Sequence, residues 1–157
     1  MEIDPDEIII DQPIGAGAYG TVFSGNFRGL NVAIKKFHVL SSPPSGGNSS
    51  VGGHLLESNS RATRRRERFV QEALFLSSLR HPRIVRMLGY TYFPNNRTFA
   101  LIMEYVSRGS LFDLLHRSPN LTLLVSQALW FARDIAEGMS FLHRSGVLHR
   151  DLKSANV

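Results

Sequence analysis

Gly15-Ala16-Gly17-Ala18-Tyr19-Gly20-Thr21-Val22-Phe23-Ser24-Gly25-Asn26-Phe27 decides how the first part of this chain folds. Its first eight residues fit G-x-G-x-x-G-x-V. Glycines so spaced let backbone N–H groups come close to phosphate oxygens with no side chain between. Alone the pattern is ambiguous, since it also fits a dinucleotide-binding turn and a plain glycine-rich hairpin. The residues after Gly20 separate these. A dinucleotide turn opens a helix inside a parallel βαβ unit, with an acidic residue about 20 positions further on. Here Thr21 to Phe27 has a strand pattern with an early glycine, and residues 36–44 (Lys-Phe-His-Val-Leu-Ser-Ser-Pro-Pro) hold no acid. The segment is read as antiparallel.

Outward from it, Ile8-Ile9-Ile10 is β-branched and Val32-Ala33-Ile34 is a short apolar run, with a break at Arg28-Gly29-Leu30-Asn31. Three antiparallel strands joined by tight turns are expected over Ile8 to Val39. Ser41 to about Arg64 is rich in Gly, Ser and Pro and buries too little to offset its ordering entropy, so a disordered insertion is expected there. Phe69, Ala73, Leu76 and Leu79 then recur on one helical face, until His81-Pro82 stops the helix. Ile84 to Tyr92 and Thr98 to Tyr105 read as two more strands around a turn at Pro94 to Arg97. Beyond a linker near Glu104 to Gly109 the pattern turns helical. A short helix over Ser110 to His116 is capped by Ser110, and a long one over Leu123 to Arg144 ends at Gly146. The long helix has two apolar stripes, one through Leu124, Ala128, Phe131, Ile135 and Leu142, the other through Leu129, Ala132, Ala136 and Met139. So wide a face predicts burial on more than one side. The fold class is α+β: a five-stranded antiparallel sheet with one helix, then the beginning of a helical region, arranged as two lobes with a cleft between.

Composition narrows the function classes. Cysteine is absent, which excludes disulfides and Cys-based metal or redox sites. The six histidines form no spaced ligand set such as H-E-x-x-H. The acidic start, Met1-Glu2-Ile3-Asp4-Pro5-Asp6-Glu7, lacks a signal-peptide pattern, and no apolar run approaches the ~20 residues of a membrane span. A soluble protein of the cytoplasm, with the nucleus as the other option, is expected. The net charge of +5 is local: removing Arg61, Arg64, Arg65, Arg66 and Arg68 brings it to zero. A solvated charge run is the plain reading, a nuclear-import or acidic-partner patch the alternative. No nucleic-acid partner is implied.

Thirteen residues after Val22 comes Lys35, in Val32-Ala33-Ile34-Lys35, and far downstream comes His149-Arg150-Asp151-Leu152-Lys153-Ser154-Ala155-Asn156. Three motifs in this order resemble the eukaryotic-type protein kinase family. The resemblance covers the chain outside the insertion, and it implies ATP and Mg²⁺ as cofactors and proteins as substrates. It divides the chain into an N-lobe over 8–104, with the insertion at 41–64, a hinge over 105–109, and the start of a C-lobe over 110–157.

Site residues carry over one by one. Gly15, Ala16, Gly17, Ala18, Tyr19 and Gly20 would form the phosphate loop. Lys35 would contact the α- and β-phosphates, oriented by a helix carboxylate. Glu72 is the expected partner and Glu67 its rival. Ile14, Val22 and Ala33 would cover the adenine, Met103 would hold the gatekeeper position, and the backbones of Glu104 and Val106 would bind the adenine edge. Asp151 would accept the substrate hydroxyl's proton, Lys153 would stabilise charge on the transferring phosphoryl group, and Asn156 would coordinate magnesium. His149 and Arg150 would shape the loop. Lys153, two residues after Asp151, resembles the serine/threonine pattern, and Lys-Ser-Ala-Asn together with the hinge resembles the tyrosine-kinase-like group that includes Raf-like and mixed-lineage kinases.

The sequence stops at Val157, before the family's Asp-Phe-Gly and Ala-Pro-Glu segments. A C-terminally truncated kinase domain with impaired transfer is expected on that ground, the alternative being a nucleotide-binding or decoy interaction module. Ser42-Pro43 in the insertion is a candidate phosphosite. Substrate identity, upstream activator and oligomeric state carry no signal in these motifs.

Overall fold

Ile8, Ile10, Phe23, Phe27, Val32 and Ile34 are spaced for strands, whose side chains point alternately to opposite faces. In the computed structural model residues 1–17, 20–37, 54–96, 98–117 and 123–157 are described, and residues 41–53 of the expected insertion lie outside them. The chain divides into two units, Met1–Ser78 with Met87–Glu104, and Leu79–Arg86 with Tyr105–Val157.

The first unit is built on β1 (Ile8–Gly17), β2 (Gly20–Phe27), β3 (Leu30–Phe37), β4 (Met87–Phe93) and β5 (Thr98–Glu104). They form one antiparallel sheet in the order β1-β2-β3-β5-β4. Arg28 and Gly29 make the two-residue turn between β2 and β3. Both have positive φ, 51° and 84°, as the twist of a tight hairpin requires, and the Asn26 side chain accepts the Gly29 N–H at 2.8 Å.

On one face the sheet closes a core. Val32, Ile34, Ala100 and Ile102 are fully buried and pack with Ile8 and Phe27. Ile3, from the segment before β1, joins them at 2% exposure. That segment lies along β4, the Ile3 N–H donating to the Tyr90 carbonyl at 2.8 Å and the Tyr90 N–H to the Met1 carbonyl at 3.0 Å. The acidic start is therefore part of the fold.

The other face carries α1 (His54–Ser78). Phe69, Val70, Ala73 and Leu76 pack with Met87, Tyr90 and Leu101 of the sheet. Phe69 lies against Phe99 at 4.6 Å between ring centres and against Tyr90 at 6.1 Å. The helix begins at His54, ten residues ahead of the expected boundary near Arg64. Residues 54–68 contain no Gly or Pro and are rich in Leu, Arg and Glu, so a helix anchored at Phe69 propagates back through them without an apolar stripe. A smaller correction concerns β4, which starts at Met87 and not at Ile84. The Ile84 N–H donates to the His81 carbonyl at 3.0 Å, closing a turn around Pro82.

In the second unit α2 (Leu111–Arg117) starts as expected at Ser110. The Asp113 N–H donates to the Ser110 hydroxyl at 3.2 Å, and the Ser110 N–H donates back to the Asp113 carboxylate at 3.0 Å. At the end of α3 (Val125–Arg144) the Val147 N–H reaches the Leu142 carbonyl and the Gly146 N–H the His143 carbonyl, with Gly146 at φ 75°. This is the glycine-terminated cap the sequence implies. The turn before β4 is fastened to α3 by Arg83 on Asp134 (3.1 Å) and by His81 stacked on Phe141. Burial on two sides is not found among the described residues: Leu142 is buried and Ile135 and Met139 half-buried, while Leu129 and Trp130 are more than 60% exposed.

Candidate functional site

Strand register gathers the sequence-predicted pocket residues of the first unit. Val22 pairs with Lys35 and Lys35 with Leu101, while Ala33 pairs with Met103. Directly paired residues share a face, and Leu101 packs toward α1. Val22, Ala33, Lys35 and Met103 therefore occupy the α1 face of the sheet. All four are half-buried, whereas their neighbours Val32, Ile34 and Ile102 on the opposite face are fully buried. The result is an apolar patch around one ammonium group, with a wall of β-sheet behind it. Ile14 lies where the β1–β2 register shifts between Pro13 and Gly15; it is 46% exposed, and Gly15, not Ile14, is the residue paired with Val22. Glu104 ends β5 and is exposed. Val106, also exposed, belongs to the second unit.

The glycines separate into two kinds. A Cβ on Gly20 would run into the Lys36 carbonyl of β3, so this glycine is required by sheet pairing. A Cβ on Gly17 would meet nothing within 4 Å, and one on Gly15 would make only ordinary contact with Val22. Neither of these two has a positive φ. The fold gives no reason for glycine at 15 and 17, and the open backbone there suits an approaching phosphate. Ala16 pairs with Thr21 beside them; Ala18 and Tyr19 lie outside the described residues.

Glu72 is not brought to Lys35. The helix docks through Phe69, Ala73 and Leu76, and both Glu72 and Glu67 are exposed, with no ion pair to Lys35 among the described residues. The Lys35 ammonium instead lies 5.7 Å from the centre of the Phe37 ring. Phe37 belongs to none of the sequence motifs, although residues two apart on a strand share a face.

In the second unit the loop His149 to Asn156 is held by its own polar groups. Lys153 Nζ donates to Asp151 Oδ2 at 3.0 Å. The Asn156 amide nitrogen donates to the same oxygen at 3.0 Å and to the Asp151 carbonyl at 2.8 Å. Hydrogen bonding from Lys153, then from Asn156, holds the Asp151 carboxyl below the usual aspartate range, so it is ionised at neutral pH. Arg150 sits at φ 61°, a strained position for a residue with a Cβ, and the Asp151 N–H points to His149 Nδ1 at 3.4 Å. These two residues bend the loop. The Leu111 N–H donates to the Val157 carbonyl at 2.7 Å and ties the loop's end to the start of α2.

Both implied groups fit the residues present. The bare backbone at Gly15 and Gly17 and the half-buried apolar patch suit a nucleotide. For Mg²⁺, the Asn156 nitrogen is committed to Asp151, so the amide oxygen is the atom that would hold the ion. One or two protein oxygens, completed by phosphates and water, is the usual complement for this ion.

Residues 8–157 match the family described as protein tyrosine and serine/threonine kinase. The chain is 37% identical over 157 residues to a probable serine/threonine-protein kinase of Dictyostelium discoideum, covering 100% of this chain and 15% of that protein. It is 36% identical over 160 residues to the serine/threonine-protein kinase CTR1 of Arabidopsis thaliana, covering 100% of this chain and 17% of that one. To the probable serine/threonine-protein kinase drkC of Dictyostelium discoideum it is 38% identical, over 99% of this chain and 18% of the relative. The chain thus spans about a sixth of the length of these relatives.

Proposed function

The chain belongs to the protein tyrosine and serine/threonine kinase family, and from that premise we propose that it serves ATP-dependent transfer of the γ-phosphate to serine and threonine hydroxyls of proteins. The observation that carries this reading is the half-buried patch of Val22, Ala33 and Met103 around Lys35, on the sheet that also presents open backbone at Gly15 and Gly17. Val22, Ala33 and Met103 bind the adenine by apolar contact. The glycine backbone and Lys35 hold phosphate oxygens, and in a partly dry pocket a cation there counts for more than in water.

The catalytic loop supplies the acceptor's side of the reaction. Asp151, ionised and fixed by Lys153 and Asn156, is a weak base. Its main task is to orient the substrate hydroxyl and to take its proton as the oxygen bonds to the γ-phosphorus and the bond from that phosphorus to the bridging oxygen breaks, releasing ADP. Lys153 then offsets charge on the phosphoryl oxygens. Asn156 would hold Mg²⁺ through its amide oxygen, and the ion, when bound, would supply positive charge against the phosphates. Serine/threonine preference is supported by Lys153 two residues after Asp151 and by the names of the relatives. No helix among the described residues is long and apolar enough to cross a membrane, and dependence on ATP suits the cytoplasm or the nucleus.

The domain reading accompanies it: an N-lobe over 8–104, a hinge over 105–109 and C-lobe residues over 110–157. A second reading, a nucleotide-binding module that transfers no phosphate, is favoured by Lys35 lying over Phe37 and not on Glu72. Incubating the chain with MgATP labelled at the γ-phosphate and with serine/threonine peptides separates the two. Transfer that Asp151→Asn reduces by about a hundredfold or more supports the kinase reading. Lys35-dependent ATP binding without transfer supports the module.

A further inference from the structure

Phe37 has no role in the kinase reading, yet its ring is the aromatic face that Lys35 meets. The two side chains leave β3 on the same face, two residues apart. The ammonium, 5.7 Å from the ring centre, is within the range where a cation is drawn to an aromatic face. The far side of the contact is the helix: Phe37 meets Phe69 edge-on at 5.5 Å, and Phe69 stands three residues before Glu72 on α1. One ring thus touches both the lysine and the element that carries its expected carboxylate partner.

Lys36 also lies over aromatic rings, but the ring beside Lys35 is the one that packs on Phe69 of α1. The chain has only three lysines against fifteen arginines. Lys36 is on the opposite face of β3, over Phe93 at 4.3 Å and Phe23 at 5.5 Å, and Lys153 is paired with Asp151.

We propose that Phe37 is a positioning residue for Lys35: its ring holds the ammonium against the sheet, in competition with a nucleotide phosphate and with the Glu72 carboxylate. The proposal rests on the reading of Lys35 as the phosphate-binding lysine. An attraction that must be given up when Lys35 engages phosphate subtracts from nucleotide affinity. Removing the ring face therefore tightens MgATP binding, by about two- to fivefold for a cation–ring contact of ordinary strength. A merely structural Phe37 would do the reverse or nothing.

The test uses the 157-residue chain with isotope-labelled lysine, followed by NMR, with the three lysine signals assigned by substituting each residue in turn. In the wild type the Lys35 ε-methylene signal is displaced by the ring. Phe37→Leu removes the displacement and tightens MgATP binding, Phe37→Tyr preserves both wild-type values, and the tightening disappears in a Lys35→Met background. Phe37→Met replaces Phe37→Leu should the latter fail to fold. A Lys35 signal identical in wild type and folded Phe37→Leu overturns the proposal, as does a gain in affinity that survives in Lys35→Met. Should the ring displacement vanish as expected while MgATP moves no Lys35 signal in any variant, the phosphate-binding reading of Lys35 fails, and the competition falls with it.

Discussion

The two faces of the five-stranded sheet are made by the same strands, yet one is sealed and the other is left half-covered. Val32, Ile34 and Ile102 point one way and are fully buried, with Ile3 drawn in from the N-terminal segment to complete the packing. Ala33, Lys35 and Met103 are their immediate neighbours, point the other way and stay half-buried. Burial on the first face gives the unit its stability. On the second, α1 covers the β4 side at Tyr90 and Leu101, and the Val22–Lys35 and Ala33–Met103 pairs keep part of their surface exposed. A sheet of alternating residues thus seals one face while leaving the adjacent residues accessible on the other.

Substitutions on the two faces should therefore fail in different ways. The sealed face gives the greatest losses: Ile102→Ala and Ile3→Ala each lose about 2–5 kcal/mol in thermal or denaturant unfolding. A loss under about 1 kcal/mol for Ile3→Ala would mean that the N-terminal segment is not part of the core. Next come the glycines. Gly20→Ala, which drives a methyl into the Lys36 carbonyl, costs about 1–3 kcal/mol of stability. Gly17→Ala changes stability by less than about 0.5 kcal/mol but weakens MgATP binding. Equal destabilisation by the two would erase the distinction between structural and ligand-facing glycines.

A subtler effect concerns pH in the second unit. The Asp151 carboxyl is held below its ordinary value of about 3.9 by Lys153 and Asn156. Its contribution to stability is present above that ordinary value and is lost as pH falls through the depressed one. Any transfer activity should likewise be flat from neutral pH down to the ordinary aspartate range. Lys153→Met removes the first of the two causes and moves the acid limb upward, as a pH–rate profile or carboxyl NMR titration reads directly. An acid limb that Lys153→Met leaves in place would separate Asp151 from its neighbour.

Much of this was legible in the sequence because period and punctuation are local. Thr21 to Phe27 is a strand, and Ser110 and Gly146 are helix ends. The features that the sequence did not disclose depend on contacts made across the fold. Ile3 reads as part of an acidic tail until β4 lies beside it. His54 to Arg68 has no apolar stripe, so its helix is visible only once Phe69 anchors it. Glu72 has the right spacing for Lys35, but spacing along a helix does not say which way the docked helix turns it. Gly20 and Gly17 are indistinguishable in the motif, and only the position of the Lys36 carbonyl gives them different tasks.

If the half-buried face around Lys35 holds a nucleotide, the unfolding temperature of the chain must respond to it. The decisive comparison is that temperature with and without saturating MgATP, in wild type and in Lys35→Met. A nucleotide-dependent rise of several degrees is expected in the wild type, as binding at about 100 times the dissociation constant adds about 2.7 kcal/mol. Lys35→Met should unfold at nearly the wild-type temperature without nucleotide and lose most of the rise. An equal rise in both proteins, or none in the wild type, would contradict a nucleotide site on this face.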